Sequence, residues 1–166
     1  MERTFKQIRP ADVFVTNIDA GVLKWRAGER ELLKNRPTGN ELIDNLAELL
    51  SIHQMKSAAF YEKALGLHIG TLTHVMMLYS GMTFKDWRNQ YIMLSAKEWL
   101  IETDYNIETI GKRMGFSGIY TFSKWFIRTA KNKPSYWRVN ARETHRKREK
   151  EQFLQWKREN YKKNMQ

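Results

Sequence analysis

The sequence predicts an all-α chain, and three observations support this prediction. Apolar residues recur at the 3.6-residue period of a helix through most of residues 41–138. Gly66 and Gly115 interrupt this period where one helix must end and the next begin. The pattern also repeats, because Leu65-Gly66-Leu67 is echoed by Met114-Gly115-Phe116 forty-nine residues later. The repeat indicates two similar helical units in one chain.

Residues 1–40 precede these units and show no long helical period. Short apolar stretches alternate there with Gly21, Gly28, Pro37 and Gly39. We interpret 1–40 as an N-terminal arm or a short subdomain.

Residues 41–81 are predicted to form three helices, which make the first unit. The first of them has its leucines on one face, at Leu42, Leu46, Leu49 and Leu50. The second covers 57–65 and the third 68–79, with Gly66 at the turn between them. Residues 83–102 contain few helix breakers and predict one long helix, which links the two units over about 30 Å at about 1.5 Å per residue.

Residues 106–138 form the predicted second unit, in which a glycine turn joins two helices. The first helix has apolar residues at helical spacing, at Ile107, Ile110 and Met114. Gly115 then supplies a left-handed stop, and Ser117 is expected to cap the next helix. One side of that helix is apolar and consists of Ile119, Phe122, Trp125 and Phe126. The opposite side consists of Tyr120, Lys124, Ile127, Arg128 and Lys131. We expect the apolar side to pack and the basic side to be free.

The distribution of charge favours the second unit as the part that meets a polyanion. The chain of 166 residues has a formal net charge of +11 and a pI near 9.9, which favours DNA, RNA or an anionic membrane as a partner. Residues 41–81 contain two basic and four acidic residues, whereas 106–138 contain seven basic residues and one acidic residue. Residues 139–166 contain nine basic and four acidic residues and predict a basic C-terminal helix or tail. This tail is free to bind phosphates, a membrane or a partner protein, or to be solvated.

Several classes of function are disfavoured. The absence of cysteine excludes a disulfide framework, a thiolate zinc site and a cysteine nucleophile. The four histidines are scattered and no phosphate-binding glycine loop is present, so we predict no catalytic residue, no metal site and no cofactor. No apolar run is long enough to span a bilayer, and no signal peptide begins the chain. We expect a cytoplasmic, nucleoid-associated protein.

A set of motifs within residues 41–138 resembles a known family. The motifs are Ala96-Lys97 with Leu100, Thr103-Asp104, Gly115-Phe116-Ser117, Phe122-Ser123-Lys124 with Phe126, and Pro134-Ser135-Tyr136-Trp137-Arg138. With them the chain resembles the C-terminal DNA-binding domain of AraC/XylS transcription regulators. The resemblance implies two homeodomain-like helix-turn-helix subdomains on a linker helix. It also implies sequence-specific binding of double-stranded DNA and, in many members, contact with RNA polymerase.

The resemblance assigns candidate DNA contacts in the second unit. Its base-contacting positions are Ile119, Tyr120, Thr121, Ser123 and Lys124. The periodicity agrees on Tyr120 and Lys124 but places Ile119 nearer the core. Lys124 suits guanine, and Thr121 suits a thymine methyl group or a phosphate. The predicted phosphate contacts are the backbone amides of Asn106 and Ile107 and the side chains of Arg128, Lys131, Lys133 and Arg138.

The first unit has weaker candidates for DNA contact. The corresponding positions are Gly70, Thr71, Thr73 and His74, which include no Arg, Lys, Gln or Asn. Two interpretations stay open: a few base contacts by these residues, or a degenerate unit that is kept for packing or for a partner protein.

Three positions depart from the family pattern. Ile92 replaces the usual arginine of the linker helix, Glu62 replaces a frequent alanine, and Lys131 replaces a glycine. We expect Asn132 to take the left-handed turn in place of that glycine.

These observations predict a DNA-binding transcription regulator whose recognition helices enter successive major grooves, with the second unit dominant. The alternative is a protein-interaction module that keeps the fold, recruits partners through the first unit and the tail, and binds DNA non-specifically. Residues 1–40 are too short for the effector domain of family members. We therefore expect either a protein without a small-molecule sensor or an arm that contacts another protein.

Overall fold

The structure is a computed structural model that describes residues 7–14 and 35–163 of the chain. Within these ranges it is built from eight helices: α1 (Pro10–Val13), α2 (Glu41–His53), α3 (Ala58–Ala64), α4 (Thr71–Ser80), α5 (Phe84–Glu102), α6 (Ile107–Arg113), α7 (Ile119–Ala130) and α8 (Pro134–Lys163). The all-α prediction is confirmed. The part of the N-terminal arm between residues 14 and 35 lies outside the described residues.

The described part of the N-terminal arm is built into the core of the first unit. Phe14 is buried, and its ring meets the Tyr91 ring of α5 edge to face, with 5.4 Å between the centroids. The backbone amide of Ile8 donates to the carbonyl of Tyr79 at 2.9 Å, and Trp87 Nε1 donates to the carbonyl of Ile8 at 3.0 Å. These residues therefore stabilise the first unit.

Two helix pairs repeat the same construction. A turn at Gly66 joins α3 to α4, and a turn at Gly115 joins α6 to α7. The φ angles of these glycines are +69° and +85°, a left-handed conformation that glycine adopts without strain. The side chains of Ser57 and Asn106 cap the first helix of each pair. The turns predicted from the sequence repeat are present in both units.

The linker helix α5 contacts helices of both units. Its 19 residues span about 28 Å at about 1.5 Å per residue. It packs against α1, α2 and α4 on the side of the first unit and against α6 and α8 on the side of the second. Ile92, where the family usually has arginine, is fully buried, so this position contributes to packing.

The first and second units also contact each other directly. The backbone amide of Met55, in the loop between α2 and α3, donates to the carbonyl of Met114 at 3.0 Å. A Cβ atom placed on Gly115 would lie 3.0 Å from both the nitrogen and the oxygen of Met55. Arg88 of α5 donates to the carbonyl of Lys56 in the same loop. The separation of the units is therefore fixed by the linker helix and by this contact.

The basic C-terminal helix α8 is continuous over 30 residues, or about 45 Å. It runs through residue 138, where the sequence analysis places the end of the DNA-binding region. Near its start, the Trp137 ring meets the Phe126 ring at 6.1 Å between centroids, and Arg142 donates to the carbonyls of Leu100 and Ile101. Nearly all residues after 142 are exposed. The helix is thus anchored at its start and projects beyond it.

Two local predictions about α7 are wrong. Gly118, and not Ser117, is the N-cap residue, because Ser117 lies one residue farther from the helix. The capping hydroxyl comes from Thr121, inside the first turn, which accepts from the amide of Gly118 at 3.3 Å and donates to the carbonyl of Gly118 at 2.9 Å. At the other end, Lys131 itself takes the left-handed conformation (φ +60°) that we expected of Asn132. Lys131 directly follows the last helical residue, and its left-handed backbone conformation costs about 1 kcal/mol in free energy.

Candidate nucleic-acid interface

The second helix of the second pair, α7, is fixed by an aromatic core beneath its inner face. Phe122 and Phe126 are fully buried and Trp125 nearly so, and the Phe116 ring lies 5.3 Å from that of Phe122. Gly111 of α6 permits this close packing, because a Cβ there would lie 2.8 Å from the Cβ of Phe122. Gly111 is a functional position that was not predicted from the sequence, although a lone glycine inside a helical period is the signal for such an approach. Packing therefore determines the orientation of α7.

The outer face of α7 is free of packing, as the periodicity predicts. Tyr120 is 75% exposed, and Lys124 and Arg128 are also exposed. Ile127 lies on the same face and is 39% exposed. The face therefore combines a cation, a phenol and an aliphatic side chain within two helical turns.

The first turn of α7 contains two smaller candidates, Thr121 and Ser123. The hydroxyl of Thr121 is engaged, since it donates to the carbonyl of Gly118 and lies 3.2 Å from the hydroxyl of Ser117. Its methyl group remains the part available for contact. Ser123 is half-buried at the edge of the outer face.

Ile119 is 49% exposed, so its expected position near the core is wrong. Helical side chains point toward the N-terminus of their helix, and that of the first residue extends past the core beneath α7. Ile119 instead borders an open groove of about 620 Å³ beside α7. The groove is lined by Ile107, Ile119, Tyr120, Ser123, Lys124, Ile127, Lys133, Pro134 and Ser135. It lies between the outer face of α7 and the starts of α6 and α8.

The candidate phosphate contacts surround this face. Arg128, Lys131 and Lys133 are exposed at the end of α7 and just before α8. The side chain of Asn106 accepts from the amide of Thr109 at 2.8 Å and so acts as the cap of α6, while its carbonyl accepts from the amide of Ile110 at 3.1 Å.

Another cation of the second unit is engaged within the protein. Lys112 Nζ lies 2.8 Å from a carboxylate oxygen of Glu108, one turn earlier on α6. This hydrogen bond lowers the pKa of the Glu108 carboxyl, so that the pair stays charged. The paired lysine contributes less to the field outside the unit than the exposed cations at the end of α7.

Two donor nitrogens of Arg138, which is predicted to contact a phosphate, are engaged within the protein. Its Nε donates to the carbonyl of Leu100 at 3.1 Å, and its Nη2 donates to the carbonyl of Tyr105 at 2.6 Å. Burial, together with the neighbouring charge of Arg142, lowers the pKa of Arg138. Because these donors bind the end of α5 and the loop that follows, Arg138 ties α8 to the linker helix.

In the first unit, α4 begins without a cap from its own N-cap residue. Gly70 has φ +87° and no side chain to offer. The amide of Leu72 donates instead to a carboxylate oxygen of Glu62 at 3.0 Å, and Glu62 is only 2% exposed. This carboxylate places negative charge at the helix N-terminus, where backbone amides would otherwise attract a phosphate. The sequence shows the replacement of alanine by Glu62 but not its role.

The outer face of α4 is mainly apolar. Thr71 and Thr73 are half-buried, and only His74 among the polar candidates is exposed. Beside it, Leu78 is 79% exposed and Met77 is 48% exposed. No residue of this helix is a lysine or an arginine. The first unit therefore presents a weaker nucleic-acid surface than the second.

In residues 7–14 and 35–163 no three His, Asp or Glu side chains are placed to hold a metal ion. No helix in the same part of the chain is long and apolar enough to cross a membrane.

Comparison with known proteins agrees with this geometry. Residues 61–140 match the model of a helix-turn-helix domain family. The regulatory protein PocR of Salmonella typhimurium is 35% identical over 65 residues, which cover 39% of this chain and 22% of PocR. The chain thus spans about a fifth of the length of that relative.

Solved structures show the same fold. The C-terminal domain of the two-component response regulator yesN from Fusobacterium nucleatum is 25% identical, with a TM-score of 0.54, and the match covers 61% of this chain and 99% of that one. The DNA-binding domain of AdpA, a global transcriptional factor solved with a target DNA, is 19% identical with a TM-score of 0.56, covering 63% and 96%. The fold and these matches define the class as a helix-turn-helix domain. Residues 61–140 thus match an AraC/XylS-type helix-turn-helix domain model.

Proposed function

We propose that this chain regulates transcription by binding double-stranded DNA sequence-specifically, with α7 as its dominant recognition helix. The main supporting observation is the outer face of α7, which presents Tyr120 and Lys124 on a helix held by a buried aromatic core. A rigidly held helix with exposed polar side chains suits insertion into a major groove, because base contacts require a fixed register.

Phosphate contacts position α7 in this proposal. Arg128, Lys131 and Lys133 are exposed around the helix, and we assign them to the DNA backbone. The amides of Asn106 and Ile107 at the start of α6 join them. We leave Arg138 out of this set because its donors bind backbone carbonyls.

We further propose that α4 enters the next major groove and contributes less. The linker helix spans about 28 Å, close to the roughly 34 Å of one duplex turn. The hydrogen bond from Met55 to Met114 keeps this spacing fixed. Contacts from Gly70, Thr71, Thr73 and His74 are expected to be few, because Glu62 occupies the start of the helix. The proposed DNA-binding region covers residues 41–138, with 1–40 and 139–166 as flanking segments.

Selection of bound sequences from a random duplex library, with the full chain, tests this function. We expect one strongly enriched half-site for α7 and a weaker one about one helical turn away, with affinity that falls as salt rises. A library that enriches no motif, with binding that does not weaken between low and moderate salt, contradicts the proposal.

Two lysine variants distinguish base contact from phosphate contact on the enriched duplex. Lys124→Ala is expected to lower discrimination at one base pair by about 1 to 3 kcal/mol. Lys131→Ala is expected to weaken all sequences similarly and to reduce the slope of log affinity against log salt by about one. Measuring both variants on the selected duplex and on single-base variants of it checks these assignments. Equal effects of the two substitutions on every sequence would contradict the role of Lys124.

The apolar outer face of α4 favours a second candidate function. Leu78 and Met77 are exposed beside His74, which is unusual for a helix that contacts only DNA. In this alternative the first unit, the arm or the tail recruits a partner protein such as RNA polymerase, and DNA binding is non-specific. The same selection separates the candidates, because non-specific binding depends on salt but enriches no motif.

A further inference from the structure

We propose that the second unit recognises thymine through the 5-methyl group, with Ile119 and Ile127 as the specificity-determining side chains. This inference rests on the proposed binding of double-stranded DNA by α7. It adds the chemical class of base pair that the helix selects.

The composition of the exposed face points to an apolar contact. Ile119 is 49% exposed and Ile127 is 39% exposed, although both are fully aliphatic and lie on the helix that meets DNA in the proposal. Among the major-groove edges of the four bases, the thymine methyl group is the apolar feature. Exposed aliphatic side chains on a recognition helix therefore find their complement in thymine.

The hydrogen-bonding alternatives on α7 are few. The hydroxyl of Thr121 is used in the cap of the helix, and Ser123 is half-buried. Lys124 is the exposed cation in the middle of the face and suits a guanine. The exposed phenol of Tyr120 is the other hydrogen-bonding group of this face, so direct hydrogen bonds specify one part of the site and apolar contact supplies another.

The surroundings of the two isoleucines fit a nucleic acid as the occupant. Both side chains border the groove beside α7, whose floor includes Ile107 and Pro134. Lys124 and Lys133 also line this groove, and positive charge at the edge of an apolar strip complements a methyl-bearing base edge beside phosphates. The isoleucines lie eight residues apart, about 12 Å along the helix axis, so they reach different base pairs.

Replacing single thymines by deoxyuridine in the selected duplex tests the inference, because this change removes only the methyl group. Burial of one methyl group is worth about 0.8 kcal/mol, so wild-type affinity should fall about fourfold at each contacted thymine. For each of the variants Ile119→Ala and Ile127→Ala, deoxyuridine should no longer lower the affinity at one of the thymines. At the other thymine the loss of affinity should be the same as in the wild type. Ile52→Ala, a similarly exposed isoleucine near the end of α2, is the matched control and should keep both thymine responses. Thermal unfolding of each variant establishes that the protein is folded.

The possible outcomes are distinct. If a motif is selected but no deoxyuridine substitution changes the affinity, the thymine contact is overturned. The proposed function still stands in that case. A loss that is the same in the wild type and in both isoleucine variants assigns the methyl response to other groups and overturns the role of the isoleucines. A failure to select any motif, with or without salt dependence, refutes the proposed sequence-specific function itself.

Discussion

The two helix pairs have the same backbone construction and different surfaces. Each has a capped first helix, a turn at a left-handed glycine and a second helix that presents an outer face. In the second unit this face holds Tyr120 and Lys124, with further cations nearby. In the first unit the outer face holds His74 among exposed aliphatic residues, and Glu62 occupies the start of the helix.

The difference shows that the core and the outer face of a helix-turn-helix are separately determined. Buried positions such as Leu72 and Phe122 keep both units folded, and they place few demands on the outer surface. Charge and polarity at exposed positions can therefore change while the fold persists. We expect the units to differ in DNA binding far more than in stability, and three sets of variants test this comparison.

The largest expected effect is a difference in lost stability between substitutions at the two turn glycines, Gly66 and Gly115. Gly66→Ala and Gly115→Ala both force alanine into a left-handed conformation, at about 1 to 2 kcal/mol. The Cβ at Gly66 meets nothing within 4 Å, whereas that at Gly115 lies 3.0 Å from the backbone of Met55. We therefore expect Gly115→Ala to lower the free energy of unfolding by about 3 kcal/mol and Gly66→Ala by about half as much, measured by denaturant unfolding. Equal losses would show that the contact between the units is dispensable.

A smaller effect distinguishes Arg138, which is bonded within the second unit, from the cations that we propose as phosphate contacts. Arg138→Met removes hydrogen bonds to the carbonyls of Leu100 and Tyr105, so we expect a loss of about 2 kcal/mol in the free energy of unfolding. The salt dependence of DNA binding should not change. Lys133→Met is the matched control, and it should preserve stability while reducing the salt slope by about one. A reduced slope for Arg138→Met without loss of stability would restore Arg138 to the phosphate contacts.

The smallest effect concerns the carboxylate of the first unit. Glu62→Gln keeps an oxygen that can accept from the amide of Leu72 but removes the negative charge. At a separation of about 8 Å in water, one unit charge changes the interaction with a phosphate by about 0.5 kcal/mol, so duplex affinity should rise about twofold. Glu151→Gln, in the exposed part of α8, changes the net charge equally and should have less effect. Equal gains in affinity for the two variants would mean that α4 does not approach DNA.

Much of the fold follows from local sequence patterns, and the errors have a common cause. The helical periods and the glycines Gly66 and Gly115 gave the order of helices and the turns, because these features involve residues close together in the chain. The exposure of Ile119 depends on where the neighbouring helices end, which periodicity does not report. The hydrogen bond from Leu72 to Glu62 joins residues ten positions apart, and that from Arg138 to Leu100 joins residues 38 apart. Neither pair can be found from spacing on one helix.

The sequence by itself determined an all-α chain with two glycine turns, an aromatic core under α7 and a net positive charge in the second unit. These properties follow from period, composition and charge, which are local or additive. Only the tertiary structure decided which cations are hydrogen-bonded within the protein and which are exposed to solvent. It placed Arg138 against the carbonyls at the end of α5 and Glu62 at the start of α4, and it brought Met55 onto Met114 so that the two units keep one spacing. Buried backbone carbonyls and amides need hydrogen-bonding partners. The fold determines which charged side chains lie close enough to supply them, so side chains with the same charge have different roles.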